Sequence, residues 1–157
     1  MINLQNKKTI FLFLVFFAID RISKILVINH NNILEEKILY ESRFLNLELV
    51  WNDGVAFGLL ASSSMYFYNL ISGLIFFIIV VLLFFIIKSK GLEQLFYVMI
   101  FSGALGNFYD RIVFRSVPDF IDLHVNNMHW FIFNFADVLI TLGVLCLIFR
   151  EFSQRHD

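Results

Sequence analysis

Four long apolar stretches constrain the fold of this 157-residue chain more than any other feature. They lie at about 9–28, 65–87, 95–114 and 130–149, and each is long enough to cross a bilayer core, which takes roughly 20 helical residues. They lack the alternation over about ten residues that is typical of membrane-spanning strands. With 59% hydrophobic residues, the sequence predicts an all-α polytopic membrane protein with four transmembrane helices in a single domain, 1–157.

Basic residues between these stretches predict how the chain is oriented. They flank the stretches on one common side: Lys7, Lys8, Lys88, Lys90, Arg150 and Arg155. The positive-inside rule places that side, and with it both termini, in the cytoplasm. The net charge of −1 gives no reason to expect a nucleic-acid partner. The first stretch lacks a small-residue cleavage pattern, so we expect it to be retained as a helix and not removed as a signal peptide.

Three of the apolar stretches contain charged or amide side chains in their outer halves. These side chains are Asp20, Arg21 and Lys24; Asn107, Asp110 and Arg111; and Asn134 and Asp137. A charge at this depth costs about 3 kcal/mol or more unless it faces a partner or a wet cavity. The sequence therefore predicts that the three groups face each other in one polar pocket that opens toward the outer surface. The alternative is that each group only joins helices through hydrogen bonds.

The spacing within these groups supports a shared pocket. Asp20 and Lys24 are four residues apart and Asn134 and Asp137 are three apart, so each pair lies on one face of a helix. A third pair, Asn107 and Arg111, is also four residues apart. For Asp137 a functional role is favoured, because its own helix offers no group that could neutralise it.

The outer segment at 29–64 contains a strand pattern. Leucines and a tryptophan alternate with other residues from Leu45 to Trp51, as in a half-buried strand. Asn52-Asp53-Gly54 then indicates a turn. We expect a small extracytoplasmic β platform beside the pocket.

The second outer segment, at 115–129, is predicted to be a loop, and it carries Asp119 and Asp122. Either carboxylate could meet Asp137 at the mouth of the pocket. Two acids that share a site retain one proton between them, so one can act as a general base while the other polarises a carbonyl group. This is the arrangement of aspartic proteases, which need no metal or cofactor, and we expect none here.

His124 and His129 in the same loop leave a metal site open as an alternative. It would use both histidines and one Asp of the segment. Two histidines in a loop without a His-Glu-x-x-His pattern are weak support for a metal, so this interpretation is disfavoured.

Taken together, the motifs of this chain resemble those of the lipoprotein signal peptidase family, also called signal peptidase II. The resemblance covers all four helices in order. It rests on Asp20 with Lys24, Asn52-Asp53-Gly54-Val55-Ala56-Phe57, Gly106-Asn107-Phe108-Tyr109-Asp110-Arg111, Val117-Pro118-Asp119-Phe120 and Phe133-Asn134-Phe135-Ala136-Asp137.

The resemblance implies an aspartic endopeptidase. Such enzymes remove the signal peptide from diacylglyceryl-modified bacterial prolipoproteins by hydrolysis just before the lipidated cysteine. It implies Asp119 and Asp137 as the catalytic pair, with Asp122 as a bystander. Substrate-binding residues would be Asn52, Gly54, Asn107, Arg111 and Asn134, and supporting residues would be Asp20 and Lys24.

The resemblance also implies the surroundings of the protein. We expect a monomer in the bacterial cytoplasmic (inner) membrane with its active site near the outer face. Expected partners are prolipoprotein substrates, membrane lipid and globomycin-type inhibitors. The chain departs from the family pattern at Arg115, where glycine is usual, at Pro118, which directly precedes Asp119, and at Phe131, where proline is frequent; these changes concern the shape of the loop that presents Asp119.

Overall fold

The structure is a computed structural model that describes residues 4–35, 37–53, 65–126 and 128–154. The predicted turn and motif residues from Gly54 to Phe57 lie outside the described residues. The elements in chain order are α1 (Leu4–Leu34), β1 (Ile38–Glu41), β2 (Leu45–Asn52), α2 (Met65–Lys88), α3 (Gly91–Phe114), β3 (Val117–Val125), β4 (Met128–Phe133) and α4 (Phe135–Gln154).

Helix α3 is the centre of the helical part, because α1, α2 and α4 all pack against it. One core cluster joins Ile79 and Leu82 of α2 to Ile100 and Ala104 of α3. Between α3 and α4 the backbones approach closely at Gly103, where any side-chain carbon would collide with a backbone carbonyl of α4. Small residues in α3 therefore set the distance between the two helices that carry most of the polar motifs.

Four long helices are present, as predicted, but only part of the membrane prediction is tested by them. Within the described ranges, the segment Tyr68–Lys88 of α2 is long and apolar enough to cross a membrane by length and composition. Helices α1, α3 and α4 contain charged residues within their apolar stretches. Four membrane spans therefore stay a prediction.

The strands form one antiparallel sheet in the order β1-β2-β3-β4. The predicted strand of the first outer segment is confirmed as β2. Leu49 of β2 and Phe120 of β3 pack with Val27 of α1 in a second core cluster, so one face of the sheet covers the end of α1. The sheet thus lies beside the helices that contain the polar groups.

The prediction for 115–133 was wrong in its secondary structure. The segment predicted as an outer loop forms strand β3 and the start of β4, and residues 130–133, which were predicted to begin the fourth helix, complete β4. Trp, Phe and Ile have high strand propensity, and here they pair with a neighbouring strand that sequence patterns do not locate. Helix α4 therefore begins at Phe135, directly after Asn134.

Candidate active site

Asp119 and Asp137 come together from a strand and a helix. Asp119 is the third residue of β3, opposite Val50 of β2, and only 3% of its surface is exposed. Asp137 lies in the first turn of α4. The charge of Asp137 acts on Asp119, so the two carboxylates are electrostatic neighbours.

Asn134 connects the two carboxylates directly. Its side-chain Nδ2 donates a hydrogen bond of 2.5 Å to Oδ1 of Asp119. Its backbone N–H donates to Oδ2 of Asp137 at 3.0 Å, and the backbone N–H of Asp137 donates back to Oδ1 of Asn134 at 3.2 Å. This reciprocal pair is a capping box, in which residues at the N-cap and three positions later satisfy each other's N–H groups. The helix start thus fixes both Asp137 and the amide that holds Asp119.

A second chain of hydrogen bonds reaches Asp137 from α1. Lys24 Nζ donates to Oδ1 of Asn107 at 2.8 Å, and Nδ2 of Asn107 donates to Oδ1 of Asp137 at 2.9 Å. The ammonium group has only donors, so it must face the amide oxygen of Asn107. Lys24 therefore orients the amide so that its NH₂ group faces the carboxylate.

Lys24 belongs to a buried network of two cations and two carboxylates. Its Nζ lies 3.0 Å from Asp20 and 2.7 Å from Asp110, and both carboxylates are fully buried. Arg21 binds the same two carboxylates, at 2.6 Å from Asp20 and 2.5 Å from Asp110. The predicted pairing of Asp20 with Lys24 is confirmed, and the opposite charges balance within the network.

Asp20 also contacts the start of α4. Its Oδ1 accepts a hydrogen bond of 3.1 Å from the backbone N–H of Ala136. A carboxylate is favourable at a helix N-terminus, where backbone N–H groups lack partners. Gly106 makes room for this contact, because a side-chain carbon at that position would collide with the Asp20 carboxylate. The charged network therefore positions the helix turn that carries Asp137.

Asp119 is held in an environment that favours its protonated form. Burial raises the pKa of Asp119 to about 6, and the nearby charge of Asp137 contributes in the same direction. Hydrogen bonds from Asn134 and from Nδ2 of Asn52, the latter at 2.8 Å, oppose this shift in pKa. A carboxyl group with a pKa near neutrality can hold or release a proton under physiological conditions.

Arg111 lies close to both carboxylates and is 5% exposed. One of its guanidinium nitrogens, Nη1, donates to the backbone carbonyl of Asn107 at 3.2 Å. Its own backbone carbonyl accepts a hydrogen bond of 2.7 Å from the hydroxyl of Tyr68. The site thus contains a buried guanidinium group beside two acidic groups.

An apolar cavity of about 290 Å³ opens next to Asp137. The cavity lies between the β3–β4 hairpin and α4. Its other lining residues are Leu123, Trp130, Phe131, Phe133, Val138, Thr141 and Leu142. An apolar group placed here would lie beside the catalytic candidate.

The structure brings together the three polar groups that the sequence predicted to face each other, and it joins Asn52 and Asp119 to them. Gly54 lies outside the described residues. Asp122 has other partners: His129, His124 and Asn46.

Sequence reasoning missed the part played by two charged residues. Arg21 and Asp110 were noticed as intramembrane polar residues but were not assigned to the site. They hold Asp20 and Lys24 in place. Their role could have been predicted from the sequence, because every charge in an apolar stretch needs a partner.

Comparison with known proteins gives a consistent result. Residues 12–153 match the family model described as Signal peptidase (SPase) II. The lipoprotein signal peptidase of Pelagibacter ubique (strain HTCC1062) is 44% identical over 151 residues, covering 96% of this chain and 91% of that protein. That of Thermodesulfovibrio yellowstonii is 35% identical over 149 residues, covering 94% and 96%.

Solved structures agree with these relatives. A structure described as a bacterial membrane enzyme matches 95% of this chain and 90% of its own, with a TM-score of 0.76 and 28% identity. A second, described in the same way, has a TM-score of 0.73 and 30% identity, with 92% of each chain covered. The motifs, the fold and the relatives lead to one conclusion: this chain belongs to the signal peptidase II family, the lipoprotein signal peptidases, which cleave the signal peptide from prolipoproteins.

Proposed function

We propose that this peptidase is an aspartic endopeptidase whose catalytic pair is Asp119 and Asp137. The observation that supports this most is the Asn134 bridge, which hydrogen-bonds to the buried carboxylate of Asp119 on β3 and to the partly buried carboxylate of Asp137 on α4. Two carboxylates that share a site do not both ionise easily, so the pair keeps one proton to a higher pH than a free carboxyl group would. The proton belongs to the pair and not to one residue.

The reaction follows from this shared proton. The ionised carboxylate removes a proton from a water molecule, whose oxygen attacks the carbonyl carbon of the scissile peptide. The protonated carboxyl group gives its proton to the carbonyl oxygen, which forms a neutral tetrahedral diol. The diol then collapses as one of its hydroxyl protons returns to a carboxylate and the other carboxyl group protonates the leaving nitrogen. The carbon–nitrogen bond breaks, and the products are a carboxylic acid and an amine.

The amide side chains have positioning roles in this proposal. Asn107 hydrogen-bonds to Asp137, and Asn134 hydrogen-bonds to both Asp137 and Asp119. Rigid placement of reacting groups can supply a large part of the barrier reduction. Arg111 and Asn52 lie at the edge of the pair, and we assign to them, with Gly54, the binding of the extended peptide backbone. Asp20 and Lys24 act as supporting residues through the start of α4 and through Asn107.

The substrate would be a diacylglyceryl-modified prolipoprotein cut just before its lipidated cysteine. The apolar cavity beside Asp137 suits an acyl chain or an apolar signal-peptide side chain, because its walls are mainly aromatic and aliphatic. A globomycin-type cyclic peptide that mimics a signal peptide would compete for the same space.

The location that fits this substrate is the bacterial cytoplasmic membrane, with four spans, both termini in the cytoplasm and the site near the outer face. Every helix exposes large apolar side chains, for example Leu26, Phe77, Ile112 and Phe149. The charged network lies inside instead. This distribution suits lipid as the surrounding solvent. We expect a monomer, since one chain contributes the whole catalytic pair.

The experiment is a cleavage assay with purified protein in detergent and a diacylglyceryl-modified prolipoprotein, followed by gel shift. Asp119→Asn and Asp137→Asn should each abolish cleavage, because either change removes a carboxyl group that must act as the general base or as the proton donor. Asp122→Asn is the matched control: it is as buried as Asp119 and lies on the same strand, and it should retain cleavage in the presence of a chelator. Cleavage that survives Asp119→Asn or Asp137→Asn would rule out the aspartic mechanism.

A further inference from the structure

The β3–β4 hairpin gathers a second group of chemically active side chains outside the catalytic pair. His124 and His129 are cross-strand partners, and their rings stack with centroids 4.8 Å apart. Asp122 precedes His124 by two residues on β3. One nitrogen of each histidine and one oxygen of Asp122 lie within 4.8 Å of one another.

Two polar atoms of this group are buried without a hydrogen-bond partner in the part of the chain that the structure describes: Oδ1 of Asp122 and Nδ1 of His124. The side chain of Asp122 is 4% exposed and that of His124 is 9% exposed. The other carboxylate oxygen, Oδ2, lies 2.7 Å from Nδ1 of His129, 3.8 Å from Nδ1 of His124 and 3.5 Å from Nδ2 of Asn46. Buried polar atoms nearly always have partners, so two adjacent exceptions mark this group as a candidate ligand-binding site.

We propose that Asp122, His124 and His129 form a binding site for a divalent transition-metal ion, with zinc as the best match. A cation would satisfy both unpartnered atoms at once, because each offers a lone pair. Two imidazole nitrogens and one carboxylate oxygen form a set that zinc prefers, and three protein ligands leave a fourth position for water.

The spacing of the ligand atoms suits such an ion. With metal–ligand bonds of about 2.0–2.1 Å, tetrahedral ligand atoms lie roughly 3.3 Å apart. Oδ2 of Asp122 lies 2.7 Å from Nδ1 of His129 and 3.8 Å from Nδ1 of His124, on either side of that value, and the unpartnered Oδ1 is the second oxygen of the same carboxylate. The side chain of His129 is 53% exposed, so an ion could reach the group from solvent on the His129 side.

The ion would join β3 to β4 near their turn. Strand β3 also carries Asp119, and Trp130 and Phe131 of β4 line the apolar cavity. Binding would therefore stabilise the hairpin that forms one wall of the substrate site. The proposal is independent of the aspartic mechanism, since the carboxylate pair needs no metal.

The test is a zinc titration of the full-length protein in detergent after removal of metals with a chelator. Calorimetry should give a stoichiometry of one ion per chain. Zinc should also raise the midpoint of thermal unfolding in a concentration-dependent way. Cobalt, used as a second probe, should give the visible absorption of a tetrahedral site.

Two ligand variants and one control make the result decisive. His129→Gln and Asp122→Asn should each weaken zinc binding by at least about tenfold, while His30→Gln on α1 should leave it unchanged. Thermal unfolding midpoints measured without metal show which variants are folded. If His129→Gln does not fold, the Asp122→Asn variant tests the site instead. The proposal is overturned by absence of binding at about 100 μM zinc, a weak affinity for such a site. It is equally overturned if both ligand variants bind as well as the unmodified chain, or if His30→Gln loses binding too.

Discussion

Replacement of Asp119 by Asn should remove a specific pH dependence from the stability of the fold. The pKa of Asp119 is about 6 in the folded chain, against 3.8 for a free side chain, chiefly because of burial. The difference corresponds to about 3 kcal/mol. Because the folded pKa is raised, the contribution is fully present below pH 3.8 and is lost as the pH rises through about 6.

The Asn side chain can replace the Asp119 carboxylate at the cost of one amide rotation. Asn134 accepts from the backbone of Asp137, so its NH₂ group must continue to face position 119. The new amide at position 119 then has to present its oxygen to Asn134 and its NH₂ group to Asn52. The side-chain amide of Asn52 must rotate so that its oxygen, and not its NH₂ group, faces position 119. This rearrangement adds an offset in stability that does not change with pH.

The measurement is therefore the difference between the two proteins and its change with pH. Thermal unfolding in detergent, followed by tryptophan fluorescence, reports on the sheet because Trp51 and Trp130 lie on β2 and β4. Between pH 4 and pH 7 the unmodified chain should lose about 2.4 kcal/mol relative to Asp119→Asn, or roughly 5–10 °C in midpoint for a chain of this size. Asp53→Asn, which alters an exposed carboxylate at the end of the same sheet, should show no such relative change.

A second variant separates the two causes of the raised pKa. In Asp137→Asn the charge beside Asp119 is absent, so the loss of stability should occur at lower pH but should persist, because burial is the larger cause. Parallel curves for the unmodified chain and Asp119→Asn from pH 4 to pH 7 would refute the reasoning. They would mean that Asp119 is not desolvated in the folded protein.

Two further outcomes are expected. Arg115→Gly should stabilise the chain by up to about 1 kcal/mol in thermal unfolding. The reason is that Arg115 ends α3 with a left-handed φ of 59°, which glycine adopts without strain. The control Arg115→Ala keeps that strain and should not stabilise the chain. Lys24→Met should destabilise the fold by about 3–5 kcal/mol, since it removes one of the two positive charges that compensate Asp20 and Asp110. The cleavage rate of the folded fraction should also fall, because the Asn107 amide is no longer oriented; an unchanged rate would contradict this role of Lys24.

Much of the helical part was accessible from the sequence, for definite physical reasons. Long apolar runs predict long helices, and charges within them require partners, which predicted that the three polar groups meet. The alternation from Leu45 to Trp51 similarly predicted β2. In each case the information is local, or follows from the cost of a single buried charge.

The β3–β4 hairpin was not accessible in the same way. The run at 130–133 is a short apolar segment, and such a segment is compatible with either a helix or a strand until its pairing partner is known. The mistake concealed that Asn134 is an N-cap and that His124 faces His129 across two strands. The N-cap depends on where β4 ends, and the histidine pair depends on the register between β3 and β4; the prediction of a loop specifies neither.

The position of Asp137 depends on contacts that also hold the helices together. Helix α4 is capped by Asn134, and the backbone N–H groups at its start are satisfied by Asp137 itself, which accepts from Asn134, and by Asp20 from α1, which accepts from Ala136. Asp20 is in turn fixed by Lys24 and Arg21, which also bind Asp110 on α3. Any rotation of α1 against α3 would therefore break ion pairs in a region surrounded by apolar side chains. The same cost that forces these charges to pair keeps the carboxylate of Asp137, which we propose to be catalytic, in place, so helix packing and the geometry of the candidate site are determined by one network.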